Sequence, residues 1–556
     1  MPKLDPILKE YWDFFLESSP TTATFLGYHQ YDDKLPDYSE AAHENELIRA
    51  RDILERLQQV TPKNEFEQVN QQILALILQQ KLELGNFYAH LLPISPQLGF
   101  HIGIPQIIDV HPFKTEKDIQ NYFSRLKAFP KLVQQAIELM EKGISLKVVL
   151  PQILTQRCIP QVKMFLVDSA EKSIFFQPLT SLKKFSSEQV LQFQKEGKKL
   201  IHSCILAGYQ KLLDFLEKKY LPASKEEVGL WSLPKGREEY EFWIRYHTTT
   251  DLTAEEIHEI GLKELKRVHQ EMKQIQKKLG FKGNLIEFMQ SLRSNPDFYY
   301  KSEDDLMEGF AAILKVMDTK MPELFSRLPK TPYGLKKIEE YRAHSAPMAY
   351  YYPPPIKGSR KGYFYVNTSQ LNTRPKYQME VLAYHEAVPG HHLQIALAKE
   401  MKLPEFRRIA TFTGYVEGWG LYSEVLPKEV GLYSDPYSEF GRLIFDAWRS
   451  ARLVVDTGIH AFQWSREKAI QFFLEETGLT ENEVEAEVDR YIGYPGQALA
   501  YKIGQRKILE LRKKAEKKLG KKFDLKEFHH KMLENGALPL VVLEKFFEEW
   551  LTTKTA

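Results

Sequence analysis

The chain contains 556 residues, several times the length of a typical domain of roughly 100 to 150 residues, so it can bury a large hydrophobic core or several. Hydrophobic residues make up 43% and charged residues 27% of the sequence, a globular composition that excludes an intrinsically disordered chain. The 76 Lys and Arg residues nearly balance the 74 Asp and Glu residues, and the net charge of +2 provides no overall attraction to nucleic acid or to an acidic membrane.

We expect that the N-terminal residues do not form a signal peptide. They read MPKLDPILKEYWDFF, which mixes charged with apolar residues and lacks both an uninterrupted apolar stretch and a cleavage site. No part of the chain approaches the roughly 18 consecutive apolar residues that cross a bilayer. Cys158 and Cys204 are too few for the disulfide framework of a secreted scaffold. We therefore predict a cytoplasmic protein with no nucleic-acid partner and no membrane partner.

Most of the chain has the apolar periodicity of amphipathic helices, with spacings of three and four residues. Three examples in chain order are YFSRLKAFPKLVQQAIELMEKGI, VLQFQKEGKKLIHSCILAGYQKLLDFLEKKY and EEIHEIGLKELKRVHQEMKQIQKKLG. Thr253 and Glu256 have the spacing of a capping box at the start of the third segment, and Gly280 is placed to end it. The fold class is therefore predicted to be mainly α.

The chain contains neither an internal repeat of fixed period nor a long Ser/Gly-rich linker. This favours two interlocked lobes over independent domains. We place the boundary near SLPKGREEY, with an N-terminal helical lobe over residues 1–235 and a C-terminal lobe over residues 236–556.

Residues 348–372 depart from the helical pattern. They read MAYYYPPPIKGSRKGYFYVNTSQLN, in which aromatic runs flank three consecutive prolines and Gly358. This pattern predicts a strand, a loop and a second strand, forming a small antiparallel β element. Because proline is excluded from central strands, the element is expected at an edge or rim.

Three His-Glu dipeptides occur in the chain. In the zinc motif HExxH, the second histidine follows the first by one helical turn, so both imidazoles reach one metal ion while the glutamate activates water. The dipeptides that begin at residues 43 and 258 have leucine at the second histidine's position and are excluded. His385 and Glu386 have Pro389 there, but the sequence continues as YHEAVPGHHLQ, with two further histidines.

The Pro-Gly pair is what a metal site requires in this segment. Pro389 lacks an N–H and Gly390 permits unusual backbone conformations, so the helix can widen or break. On an uninterrupted helix His391 would point about 120° away from His385, and His392 would be nearly in phase but about 10.5 Å further along. Both histidines are therefore candidates for the second ligand. The alternative is a helix that ends at the proline, followed by two histidines in solvent.

A third ligand is expected from the following helix, because zinc sites of the His, His, Glu type take their last ligand there. Glu417 lies in TGYVEGWGLYSE, between Gly414 and Gly418. These glycines lower helix stability unless another element packs closely against them. Glu424, on the same helical face, is the alternative ligand or a residue that braces a ligand histidine.

Hydrolysis also requires hydrogen-bond donors for the oxyanion of the tetrahedral intermediate. We assign this catalytic role to His460, Tyr491 and Tyr501, and assign Tyr494 to substrate binding; the alternative for each tyrosine is a core aromatic. Arg452 lies on a polar stripe of an otherwise apolar helix, where its guanidinium can anchor a peptide carboxylate. The alternative is a structural Arg–Asp pair on that helix.

The two motifs YHEAVPGHHLQ and VEGWGLYSE resemble the signature HExxPGHxxQ followed by EGW of the bacterial family known as domain of unknown function 885. The resemblance extends over nearly the whole chain, through FLGYHQYDDKLPD, YHTTTDLTAEEIHEIGL, YYYPPP, RLVVDTGIH and YPGQALAY. That family is similar to the glutamate-zincins, which include angiotensin-converting enzyme, thimet oligopeptidase and carboxypeptidase Taq. The resemblance implies a mainly α, two-lobed zincin-like fold with a deep central cleft and a small β element before the active-site helix.

In the family signature the second histidine aligns with His391. The resemblance therefore implies that His385, His391 and Glu417 bind one Zn²⁺ per chain, with His392 as the alternative ligand. Zincins also present a strand edge to an extended peptide just before the zinc helix. Here that strand is GYFYVNTSQ, which would place Asn367 near the metal as a substrate-binding residue.

The expected function is a zinc metallopeptidase, a hydrolase of the carboxypeptidase or oligopeptidase type that acts on short peptides. Glu386 would take a proton from the metal-activated water and pass it to the leaving amine. A metal-dependent amidase or another hydrolase is an alternative, since the site activates water without selecting the acyl group. A non-catalytic zincin-fold binding protein is the third possibility, although such a protein has no need for Glu386.

Overall fold

The described part of the chain is mainly helical, as the sequence predicts, and contains one small three-stranded sheet. The structure is a computed structural model that describes residues 3–339, 343, 347–356, 360–433 and 435–555. Within these ranges, no helix is both long enough and apolar enough to cross a bilayer. The chain forms two compact units, Met1–Glu239 with Pro355–Gly358 and Tyr240–Pro354 with Ser359–Ala556. The two-lobed zincin-like arrangement with a central cleft stays a prediction.

The first unit is built from helices. They are α1 (Leu4–Ser18), α2 (Pro20–Phe25), α3 (Glu40–Gln58), α4 (Glu65–Leu84), α5 (Phe100–Gly103), α6 (Glu116–Leu146), α7 (Gln152–Lys163), α8 (Ser187–Leu200), α9 (Ala207–Phe215) and α10 (Leu221–Ala223). The long helix α6 starts at a capping box in which Thr115 and Asp118 bond each other's backbone N–H. Its Phe129 packs on Tyr209 of α9, with ring centroids 4.9 Å apart, in the buried core of this unit.

Helices also dominate the rest of the chain. They are α11 (Gly236–Thr248), α12 (Ala254–Lys278), α13 (Leu285–Ser294), α14 (Glu303–Leu324), α15 (Met379–Glu386), α16 (His391–Glu400), α17 (Glu405–Ile409), α18 (Thr413–Ser423), α19 (Leu426–Glu429), α20 (Pro436–His460), α21 (Arg466–Thr477), α22 (Glu481–Gly493), α23 (Leu499–Leu519), α24 (Leu525–Leu533) and α25 (Leu540–Thr555). The predicted capping box of Thr253 and Glu256 is confirmed at the start of α12, and Gly280, with φ of +75°, follows its end.

The sheet contains β1 (Tyr333–Lys337), β2 (Ala349–Tyr352) and β3 (Gly362–Val366) in the order β1-β3-β2. Strands β2 and β3 form the predicted antiparallel pair, with Tyr351 opposite Phe364. The sheet is mixed rather than purely antiparallel, because β1 pairs with β3 in parallel and was not predicted. The expectation that GYFYVNTSQ offers an edge is wrong, since β3 is hydrogen-bonded on both sides and β2 is the edge strand nearest the prolines.

Close packing of two helices positions the region that contains Glu417. Helix α18 packs against α23 where glycines meet: a Cβ on Gly504 would lie 1.8 Å from the carbonyl oxygen of Gly414, and one on Gly418 would lie 2.6 Å from the Cα of Gly504. The glycines of TGYVEGWG therefore permit a backbone approach that any side chain would prevent. The sequence predicted that another element packs closely against these glycines, and α23 does so.

Candidate metal centre

The helix that carries His385 breaks at the Pro-Gly pair. Helix α15 ends at Glu386 and α16 begins at His391, and the Val388–Pro389 peptide bond between them is cis. A Cβ on Gly390 would lie 1.9 Å from the carbonyl oxygen of His385, so a residue with a side chain does not fit there. The predicted break is therefore confirmed. The two histidines lie on separate helices, and the geometry of an uninterrupted helix does not apply.

His385, His391 and Glu417 come together as a possible donor set for a metal ion. One ligand atom from each lies within 4.8 Å of the other two. Glu417 Oε2 is 3.6 Å from His385 Nε2 and 3.5 Å from His391 Nε2, and the two imidazole rings are nearly perpendicular, at 87°. Among the described residues, this buried carboxylate oxygen has no hydrogen-bond partner. A carboxylate oxygen that faces two imidazole nitrogens without a hydrogen bond fits a donor set for a divalent cation.

The orientation of the His385 ring is fixed by a contact at Nδ1, the nitrogen that does not face Glu417. Its Nδ1 lies 2.8 Å from Glu424 Oε1, which leaves Nε2 directed toward Glu417. Gly420 makes room for the ring, since a Cβ there would lie 2.7 Å from His385 Cε1. Histidine ligands of metals commonly donate their other N–H to a carboxylate in this way. Glu424 thus braces the histidine, one of the two roles predicted for it, and is not a ligand.

His392 does not belong to this donor set, so its assignment as the alternative ligand is wrong. Consecutive residues on a helix point about 100° apart, and α16 directs His392 toward the sheet. There its Nδ1 is 2.9 Å from the hydroxyl of Tyr351, and its ring centroid is 4.8 Å from that of Tyr333. Burial lowers the pKa of His392 to about 4, which keeps the imidazole neutral in this contact.

The charges in the donor set favour a cation. Burial acts to raise the pKa of Glu417, but the neighbouring His391 and His385 outweigh it and hold that pKa well below its usual range. Burial likewise acts to lower the pKa of His385, but the nearby carboxylates of Glu417 and Glu424 outweigh it and raise the pKa to about 9. The ionised Glu417 carboxylate therefore stabilises positive charge beside the two imidazoles, which is the electrostatic environment that attracts a positive ion.

Glu386 follows His385 directly and lies at the edge of the sheet. Its Oε2 accepts a hydrogen bond of 2.8 Å from the backbone N–H of Tyr351 on β2. Its charge also acts to raise the pKa of His385, after the effects of Glu417 and Glu424. The half-buried carboxylate is thus fixed by one oxygen beside the donor set.

Two of the predicted tyrosines lie near the donor set. Burial is the main cause of the raised pKa of both Tyr494, at about 12, and Tyr501, and the charge of Glu417 adds to it in both cases. Both side chains are only half-buried. The Tyr494 ring also contacts His247, with centroids 5.2 Å apart. Both hydroxyls therefore stay protonated at neutral pH and remain able to donate hydrogen bonds.

His460 and Tyr491 make contacts between helices, and their assignment as catalytic donors stays a prediction. The Nε2 of His460 is 3.0 Å from the carbonyl oxygen of Tyr491, and its ring packs on Tyr240 with centroids 5.0 Å apart. The Tyr491 hydroxyl donates to Glu487 and accepts from Arg452. Both residues are buried and join α20 to α22, because their polar atoms are used in that packing.

Arg452 has a structural partner, but not the one expected. Its Nη2 is 3.1 Å from Glu487 Oε2, and its guanidinium stacks 4.4 Å from the ring centroid of Tyr501. Asp456, the expected partner, instead accepts hydrogen bonds from the Tyr240 hydroxyl and from the Gly496 N–H. A role of Arg452 in binding a carboxylate stays a prediction.

Asn367 is not available to a substrate, which corrects its assignment as a substrate-binding residue. The side chain is buried, and its Nδ2 donates to the carbonyl oxygen of Ala343 at 2.6 Å. Its Oδ1 accepts from the N–H of Ser369 at 3.0 Å. The residue follows the central strand β3 and holds the turn after it, as asparagine often does.

The sequence reasoning missed three residues that shape the centre. They are Gly420, which admits the His385 ring, Tyr351, whose N–H holds Glu386, and Trp419, whose Nε1 donates to the carbonyl oxygen of Pro389 at 2.9 Å. The run EGWG was a usable signal for two of them, since an additional glycine next to a large aromatic in a helix indicates close packing.

Two solved structures are similar to the chain. One, "the putative lipoprotein from Colwellia psychrerythraea", is 31% identical, covers 99% of both chains and has a TM-score of 0.95. The other, a "putative lipoprotein of unknown function from Shewanella oneidensis", is 18% identical, covers 99% of this chain and 100% of its own, and has a TM-score of 0.75, which supports the fold alone. No curated protein matches the chain.

The description of the Colwellia structure contradicts the predicted cytoplasmic location. That structure is described as a lipoprotein, a class of exported proteins anchored to a membrane by lipid. The prediction was drawn from features that the N-terminal residues lack, and such an absence does not determine a compartment.

The comparison with family models agrees with the resemblance of the two motifs. The model described as bacterial protein of unknown function, DUF885, matches residues 20–546, a range that includes every residue of the donor set. The identity and coverage of the Colwellia structure point to the same conclusion. The chain therefore belongs to the DUF885 family of bacterial proteins.

Proposed function

We propose that the protein is a zinc-dependent metallopeptidase that hydrolyses peptide bonds of short peptides. The observation that carries this proposal is the convergence of His385, His391 and Glu417 within 4.8 Å, with Glu386 directly after the first of them. Two imidazoles and one carboxylate are a protein ligand set of catalytic zinc sites, which keep a further position open. A zinc ion held there would supply Lewis-acid activation of water and of a peptide carbonyl group.

Glu386 is the proposed general base. One carboxylate oxygen is held by the Tyr351 N–H, which fixes the orientation and leaves the other oxygen to accept a proton. The carboxylate then returns that proton to the leaving amine, so a single group serves as base and acid. Its hydrogen bond to the edge strand β2 also places it beside backbone that an extended peptide can pair with.

Tyr494 and Tyr501 are the proposed donors to the developing oxyanion. Their proximity to Glu417 and their protonated hydroxyls support this role, whereas the side chains of His460 and Tyr491 already bond other residues of the chain. Donors that are already oriented lower the barrier because they need no rearrangement as charge develops. The resemblance to glutamate-zincins supports short peptides as substrates, and the lipoprotein description of the Colwellia structure supports action outside the cytoplasm.

The test combines metal analysis with a peptide-library digest of wild type, Glu386→Gln and the matched control Glu380→Gln. Glu380 lies on the same helix, where it accepts a hydrogen bond from the hydroxyl of Tyr384. We expect about one zinc per chain in all three proteins, cleavage by wild type and the control, and a loss of at least about 100-fold in rate for Glu386→Gln. Wild-type protein that binds zinc and cleaves no peptide, or a Glu386→Gln variant that cleaves normally, would overturn the proposal.

A further inference from the structure

Three arginines that share two carboxylate partners lie next to the candidate metal centre. Arg449 and Arg452 on α20 are 5% and 4% exposed, and Arg490 on α22 lies close by. Among the described residues, the carboxylates that pair with these three guanidiniums are Glu424 and Glu487. Three guanidiniums therefore share two carboxylates, and any buried N–H group that this sharing leaves without an acceptor lowers stability unless a partner binds.

Arg449 is the least satisfied of the three. Its Nη2 is 3.5 Å from Glu424 Oε1, an oxygen already 2.8 Å from His385 Nδ1. Its Nη1 makes a long contact of 3.4 Å with the carbonyl oxygen of Phe445. Its Nε is buried without a hydrogen-bond partner in the described part of the chain. The guanidinium thus lacks the bidentate partner that buried arginines normally have.

Arg452 is also incompletely paired. Its Nε and Nη2 contact the Tyr491 hydroxyl and Glu487, but Glu487 also receives two hydrogen bonds from Arg490. Its Nη1 is buried and, within the described ranges, has no partner. Arg452 therefore shares one carboxylate with a second guanidinium and retains a donor for another acceptor.

The two incompletely paired guanidiniums are neighbours. Their central carbons lie 5.1 Å (Arg449) and 4.8 Å (Arg452) from the ring centroid of the same residue, Trp448. Burial and the charge of Arg452 both act to lower the pKa of Arg449, which reflects the repulsion between them. A small anion accepting from the unpaired N–H groups would relieve this repulsion, and planar guanidinium forks suit a carboxylate in particular.

The pair also adjoins the donor set on two sides. Arg449 contacts Glu424, the brace of His385, and Arg452 stacks against Tyr501, a proposed oxyanion donor. We propose that Arg449 and Arg452 form an anion-binding subsite that takes a small monovalent anion, either a carboxylate or a free inorganic ion. In its stronger form, which rests on the proposed function, the anion is the free C-terminal carboxylate of the peptide substrate.

The first experiment tests the subsite without reference to catalysis. The melting temperature of the intact protein is measured in increasing sodium acetate or sodium chloride, and comparison of the proteins at each salt concentration removes the general effect of ionic strength. The proteins are wild type, Arg449→Gln, Arg452→Gln and the control Arg442→Gln. Arg442 lies on the same helix and is equally buried, but Glu439 bonds its guanidinium at two positions.

We expect acetate or chloride to raise the melting temperature of wild type and of Arg442→Gln, in proportion to the logarithm of anion concentration above the Kd. Arg449→Gln and Arg452→Gln should lose this response. If either variant does not fold, Arg449→Lys and Arg452→Lys replace them, and we expect at least tenfold weaker anion binding because the fork is lost. An equal response in all the proteins, or none in wild type, overturns the subsite.

The second experiment identifies the source of the anion. Trialanine and trialanine amide are titrated calorimetrically into zinc-loaded Glu386→Gln protein, with and without Arg452→Gln. A preference for the free acid of more than tenfold that disappears with Arg452→Gln assigns the subsite to the peptide C-terminus. Equal binding of acid and amide overturns that assignment, and together with a retained acetate or chloride response it assigns the subsite to an inorganic ion. Since the melting response needs no turnover, failure of the peptidase proposal is distinguishable from failure of the subsite.

Discussion

Replacing Gly420 by alanine should weaken metal binding without a direct change to any ligand. A Cβ at position 420 would lie 2.7 Å from Cε1, 2.9 Å from Nε2 and 3.1 Å from Nδ1 of the His385 ring. Non-bonded carbon contacts are favourable near about 3.5 Å, so the ring must move by roughly 0.5 to 1 Å. That movement strains the 2.8 Å hydrogen bond from Nδ1 to Glu424 and turns Nε2 away from Glu417.

Zinc affinity is measured by competition with a chromophoric chelator for wild type, Gly420→Ala and the control Gly103→Ala. An added Cβ at Gly103 meets no atom within 4 Å, so the control makes the same chemical change without the clash. Loss of a partner that orients a ligand typically weakens metal binding about 10–100-fold, and we expect a loss in this range for Gly420→Ala alone. A folded Gly420→Ala protein with wild-type zinc affinity would refute the proposed position of His385 in the site.

Three further predictions test the brace, the helix packing and a buried acid. Glu424→Gln should weaken zinc binding about 10–100-fold in the same competition assay, because the braced histidine loses a charged partner; unchanged affinity would show that the 2.8 Å contact is dispensable. Gly504→Ala should lower the free energy of unfolding in urea by about 1–3 kcal/mol or more, because its Cβ would lie 1.8 Å from the Gly414 carbonyl oxygen. An unchanged urea midpoint would contradict the close packing of α18 and α23. Burial raises the pKa of Asp456 to about 7, so the folded state binds its proton more tightly than the unfolded chain does. The free energy of unfolding of wild type should therefore fall by up to roughly 4 kcal/mol between about pH 4 and pH 7, relative to that of Asp456→Asn. Parallel stability profiles of these two proteins over that range would refute this assignment.

The parts of the site that sequence predicted best are local ones. The break before His391 follows from the missing N–H of proline and the freedom of glycine, and both effects act within a few residues. The capping box of Thr253 is local in the same way. The choice between His391 and His392 was different, because it depended on the direction of the chain after the break. The residues alone left it open, and only the resemblance favoured His391.

Contacts between distant segments were beyond the sequence. The polar stripe on α20 was visible from its period, but the partner of Arg452 lies on another helix, so the pairing with Glu487 was not. Strand β1 ends in two lysines and pairs with β3 in parallel, so it shows neither an apolar run nor a hairpin turn. Asn367 was assigned from the presumed edge of β3, and the pairing of β1 on that side removes the edge.

The central claim is that one divalent ion binds to His385, His391 and Glu417, and a crystal structure of zinc-soaked protein with anomalous data at the zinc edge tests it most directly. The account predicts a single strong anomalous peak about 2.0–2.2 Å from Nε2 of each histidine and from a carboxylate oxygen of Glu417. A peak at other residues, or no peak in protein that retains the fold, would contradict it.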